Sequence, residues 1–148
     1  MTKIAALLAC LIFLSPAASA DAPPVQDPHL VWDLTELYPT DAAWDAERQA
    51  IADTLPGLAA LKGTLGKDAA RLAQGLRAIS DVQRRLARLA TYASLKRDED
   101  TRNSANQDRL QRVELLSTDF ATATSFMNPE IIQIGAAKVE QFVAADRR

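Results

Sequence analysis

The sequence is poor in the residues that most often carry chemistry. Its 148 residues hold one cysteine and one histidine. Cys10 sits inside an amino-terminal apolar run and would leave with it on cleavage. The remaining chain then has no thiol, which excludes a disulfide, a cysteine-ligated zinc and a cysteine nucleophile. His29 stands in a proline-rich stretch with no partner at ligand spacing, so it reads as a tail residue rather than a ligand or base. There is no H-E-x-x-H, the pattern that sets two imidazoles and a general base on one helix face. A glycine-rich phosphate loop and a G-x-S-x-G elbow are also missing.

A strong excess of either charge is missing too. The net charge is −2 and no basic run occurs. Such a chain is a poor ligand for nucleic acid or for an anionic membrane surface. Aromatic residues make up 5%, and leucine and alanine dominate the apolar set, which favours helices packed through small and medium side chains. No alternating strand pattern of useful length and no fixed-period repeat is present.

Residues 1–20 have the form of an export signal. Lys3 is followed by the apolar run Ile4 to Leu14, too short to span a bilayer, and Ser15-Pro16 breaks it. Ala18-Ser19-Ala20 offers the small-x-small site, so cleavage is expected before Asp21 and the product in the periplasm or medium. A lipoprotein signal at Leu7-Leu8-Ala9-Cys10 is the weaker alternative, because the apolar run continues beyond Cys10. No other long apolar run is present, so no membrane attachment is expected after cleavage. The chain beyond the signal has the length of one domain. Residues 21–39 hold three prolines within Asp21 to Leu30, show no periodicity there and read as an extended linker.

From residue 40 to 148 the pattern is helical. Thr40 is a candidate cap with Asp41 at the positive helix end, and Trp44, Ile51, Leu55 and Leu58 share a face. Pro56 should end or kink that helix near Leu55, and Lys62-Gly63 is a stop. Asp68 should cap a second helix whose stripe is Leu72, Leu76, Ile79, Val82, Leu86, Leu89 and Ala93. Gly75 weakens its first turns and invites a split there or near Ser80, and Asp81 is placed to pair with Arg85. A third helix is expected after a Ser104 cap, with Leu110, Val113, Leu116, Phe120, Ala123 and Met127 as its stripe, widened by Leu115 and Phe126. Asn128-Pro129 reads as the cap of a short last helix carrying Val139, Phe142 and Val143, with Met127 and Ile132 as a staple. The fold class predicted is all-α: an antiparallel array of three long helices plus a short carboxy-terminal one.

Three constellations invite a functional reading. Asp98-Glu99-Asp100 lacks the alternating carboxylates and the glycine of a calcium loop, so a solvated loop with capping duties is the better account. Arg84, Arg85 and Arg88 suit an acidic partner or, by default, a solvated helix face. The Leu110–Met127 stripe is a core face by rule and a partner groove by exception. No catalytic, cofactor-binding or metal-binding residue is assigned.

Two segments carry a resemblance. Trp32-Asp-Leu-Thr-Glu-Leu-Tyr-Pro-Thr-Asp41 with Trp44, and Tyr92-Ala-Ser-Leu-Lys-Arg-Asp-Glu-Asp-Thr101, resemble the oligoendopeptidase F family of thimet-oligopeptidase-like zinc metallopeptidases. Leu58-Ala-Ala-Leu-Lys-Gly63 between them is similar to the family as well. The resemblance implies an all-helical amino-terminal region that packs against a helical catalytic domain and helps enclose a channel for oligopeptides. It implies zinc in the full-length enzyme, held by H-E-x-x-H and a later glutamate, none of which maps onto a residue here. On that basis the chain is expected to be a truncated front part of an exported peptidase, inactive alone. A complete small periplasmic helical binding or scaffold protein is the alternative. The aromatic residues Trp32, Tyr38 and Trp44 are candidates to anchor the linker to the first helix.

Overall fold

A computed structural model describes residues 32–146. The expected signal peptide and its cleavage site, most of the expected linker and His29 lie outside the described residues. Within them the regular elements are all helices: α1 Asp41–Ala59, α2 Ala69–Glu99, α3 Ser104–Thr124, α4 Met127–Ile134 and α5 Ala136–Asp146. The all-α expectation holds. One element differs in number, because the single short last helix is two.

The first two caps form as the sequence implies. Thr40 Oγ1 accepts from the Ala43 N–H at 3.1 Å, and Asp68 Oδ1 from the Arg71 N–H at 2.8 Å. The third cap shifts by one residue: Asn103, not Ser104, accepts from the Ala105 N–H at 2.9 Å. Pro56 does not end α1, which runs on to Ala59. Pro56 lies in the last turn, so it forfeits only the bond to the Ala52 carbonyl, and buried Leu58 holds the turn in place. A run of tight turns comes next, and Gly63 takes the left-handed conformation at φ 77° within it. At the other end, Asn128 caps nothing. Phe126 leads into α4 without a side-chain cap, and Pro129 occupies the first turn, where its missing N–H costs little. Gly135, at φ 82°, separates α4 from α5.

α1, α2 and α3 form the body. Asp41 and Glu47 at the start of α1 bond Tyr92 and Arg85 late in α2, so these helices are antiparallel. Asn106 at the start of α3 donates to the Lys96 carbonyl near the end of α2 at 2.7 Å, so α3 turns back as well. α2, 31 residues and about 46 Å long, lies against both partners and also against α5. Ile51, Leu65, Leu89 and Val113 are the largest fully buried side chains at the centre.

α2 is continuous through Gly75 and Ser80. Gly75 is buried because Leu65, from the preceding turn, occupies the space a side chain would need: a Cβ there would collide with Leu65 Cδ2. The glycine admits a close approach rather than breaking the helix. Leu76, placed on the stripe by spacing, lies on its exposed margin. Leu115 does not widen a buried face either, being 61% exposed, and Ile132 is 78% exposed, so it forms no staple with Met127.

The last part of the expected linker is packed. Leu37 and Tyr38 donate their N–H groups to the Leu34 carbonyl, and Leu34 and Tyr38 are buried against the core. Trp32 is 56% exposed and anchors nothing in this structure. Trp44 is buried and donates its indole N–H to the Leu89 carbonyl at 3.0 Å.

Candidate functional site

The arginines of α2 are spent within the fold. Arg85 makes a forked ion pair with Glu47 of α1, at 2.7 and 3.2 Å, instead of the expected pair with Asp81. The Glu47 carboxylate accepts from Arg85 and thereby raises its pKa. Asp81 pairs with Arg84 at 3.0 Å on the surface. Arg88 reaches the Glu36 carbonyl at 2.6 Å and lies over the Tyr38 ring, 5.2 Å from its centroid. Thus Arg85 and Arg88 fasten α1 and the 34–38 turn to α2.

The acidic triplet is divided among local partners. Asp98 pairs with Arg97, Glu99 with Lys96 at 3.0 Å, and Asp100 with Arg102. Asp100 also accepts from the Arg102 backbone N–H, and these bonds hold its carboxyl below the usual range. Among the described residues no group of three or more His, Cys, Asp or Glu side chains is placed to hold a metal ion.

A polar cluster that the sequence reading missed sits where α1, α2 and α3 meet. Asp41 accepts from the Tyr92 hydroxyl at 2.8 Å and from Arg109 at 2.6 Å. Arg109 is buried, donates to Asn106 Oδ1 at 2.7 Å, and lies over the rings of both Trp44 and Tyr92. Burial, and then the bond to Asp41, push the Tyr92 hydroxyl up to about 12. Tyr38 meets Tyr92 edge to face, with centroids 5.4 Å apart. A signal was present: Asn106 and Arg109 continue the α3 stripe at helical spacing toward its start. An arginine on a buried stripe demands a partner.

A groove lies between the 60–67 turns, the end of α3, α4 and the start of α5, with a volume of about 800 Å³. Glu130 of α4 lines it. Its two carboxylate oxygens accept from the Gly63 and Leu65 N–H groups, each at 2.8 Å. Lys138 of α5 donates to the Gly66 carbonyl at 2.8 Å.

Over 112 residues, 76% of its length, the chain is 38% identical to oligopeptidase PepF of Bacillus subtilis. The chain is a relative of the oligoendopeptidase F peptidases. It is also 28% identical over 112 residues to group B oligopeptidase PepB of Streptococcus agalactiae. With the chromosomal oligoendopeptidase F of Lactococcus lactis subsp. cremoris it shares 30% identity over 105 residues. The chain spans only 17–19% of the length of these oligoendopeptidase F relatives. No family model matches it, and no solved structure matches it. In structural terms the two segments that carry the oligoendopeptidase F resemblance are one joint. Asp41 closes the first, Tyr92 opens the second, and the hydrogen bond between them ties the two together.

Proposed function

We propose that this chain is the non-catalytic helical region of an exported, oligoendopeptidase F-like zinc endopeptidase. The observation that carries the reading is the 38% identity over 112 residues to a peptidase of which those residues make up 17%. The hydrogen bond from Tyr92 to Asp41 supports it, since it joins the two family-like segments across α1 and α2. In such an enzyme the region helps wall a channel that admits oligopeptides, and the catalytic domain is its packing partner. There a bound zinc would activate a water for peptide hydrolysis, and a glutamate would serve as its general base. Neither the zinc ligands nor that glutamate is assigned to any residue of this sequence.

Export rests on the pattern of residues 1–20. Fusing that segment to a reporter that is active only outside the cytoplasm tests it, and a silent fusion rejects it.

The role itself is tested by exchange. The segment matching this chain is replaced in the Bacillus subtilis relative by residues 32–146, and oligopeptide hydrolysis is measured. A folded, active chimera is the expected result. A chimera that folds and binds zinc but leaves oligopeptides intact removes the proposal. In parallel, the isolated chain with added zinc should not cleave peptides, and chelator-sensitive cleavage by it would refute the non-catalytic assignment.

A further inference from the structure

The groove beside α4 is unexplained by the joint or by the core. Three lysines border it: Lys62 and Lys67 from the turns after α1, and Lys138 from α5. One carboxylate borders it, Glu130, and both of its oxygens already accept backbone N–H groups. The local field is therefore positive in a chain whose net charge is negative. Phe126 and Ile134 supply an apolar wall, and Gln133 an amide, along the same lining.

We infer that this groove binds an acidic peptide segment. The shape of the positive field decides the ligand class. The turn at Gly63 aims two N–H groups at one point, which is the arrangement that takes a compact anion such as phosphate. Glu130 fills that point, so the strongest small-anion position is occupied by the protein itself. What is left is three ammonium groups around the opening, two from the 60–67 turns and one, from α5, that also donates to the Gly66 carbonyl. These match carboxylates spaced along a chain, with apolar side chains between them against Phe126 and Ile134. This binding property belongs to the chain alone and does not depend on the peptidase assignment.

The test uses the purified chain and fluorescein-labelled hexapeptides that alternate glutamate with leucine, or lysine with leucine, read by fluorescence anisotropy. The acidic peptide should bind at least ~10-fold more tightly than the basic one, and raising ionic strength to ~0.3 M should weaken it. The double variant K62A/K67A should lose ~10-fold in affinity with an unchanged melting temperature, because both side chains are exposed. The variant K62R/K67R should restore binding. Equal binding of the two peptides, indifference to K62A/K67A, or competition by inorganic phosphate at the peptide's own concentration would each overturn the inference. None of these outcomes bears on whether the chimera above hydrolyses peptides, so the two proposals fail separately.

Discussion

Tyr92 donates its hydroxyl to Asp41 across 51 positions of sequence, at 2.8 Å, and Arg109 holds the same carboxylate from a third helix. The hydroxyl titrates with a sign that can be worked out. Its folded pKa, about 12, stands above the ordinary 10 because burial and then Asp41 disfavour the phenolate. The unfolded chain therefore releases this proton first. Stability from Tyr92 is fully present below pH ~10 and is lost as pH climbs toward ~12. Tyr38, raised chiefly by its burial, acts in the same direction. Denaturant melts at stepped alkaline pH should show this loss. The variant Y92F should cost about 1 kcal/mol near neutral pH, one hydrogen bond, and flatten the alkaline decline. An unchanged decline in Y92F would mean that another group titrates.

This joint shows what the sequence made legible. Thr40, Asp68 and the apolar stripes obey spacing and capping rules that act within a few residues, so α1, α2 and α3 could be placed in advance. The bonds from Asp41 to Tyr92 and Arg109 are long-range and polar, and no local rule names the partner. The same limit explains Arg85. Asp81 lay one turn away and looked like its mate, but Glu47 on α1 offers a forked, half-buried carboxylate. The split at Gly135 went unread, although a glycine there permits the positive φ that parts α4 from α5, whereas Gly75 was read as a weakness because Leu65 could not be seen filling it.

Gly75 yields a second prediction, in which two effects oppose each other. Alanine at a helix interior gains about 1 kcal/mol over glycine. Here the added Cβ meets Leu65, which is fully buried and has little room to move, and overpacking costs about 1–3 kcal/mol. The strain should win, so G75A should lower stability. L65A alone leaves a cavity and should cost about 2–5 kcal/mol. In the double variant the clash is gone, so the two losses should fall short of adding by about 1 kcal/mol or more. Urea titration of the four proteins closes the cycle, and strict additivity would contradict the contact.

The Glu130 latch gives a third. Its carboxylate serves Gly63 and Leu65 in a partly exposed setting, and charge-assisted bonds of this kind exceed neutral ones. E130Q keeps one acceptor oxygen and removes the charge. It should cost about 1–2 kcal/mol and accelerate amide exchange at Gly63 and Leu65 selectively. Exchange that quickens across all of α2 instead would indicate global destabilisation and refute a local latch. Since Glu130 is the one carboxylate lining the lysine groove, E130Q should also tighten binding of the acidic peptide.

Leu115 and Ile132 are the most exposed large apolar side chains among the described residues, at 61% and 78%. Neither packs against the core. α4, the helix of Ile132, buries none of its residues although half of them are large and apolar. Scattered exposure of this kind is ordinary on a monomer, but a region proposed to pack against a catalytic domain should present such side chains to it. Replacing both by lysine removes apolar surface while breaking no buried contact. The isolated variant L115K/I132K should therefore keep its stability within about 0.5 kcal/mol and bind less of a hydrophobic dye. Placed in the chimera with the Bacillus subtilis relative, the same pair should weaken the hold on the catalytic domain and lower its melting temperature. If the substitutions leave the chimera as stable as its parent, these two side chains do not face the domain. The packing surface must then be sought on another side of the helical array.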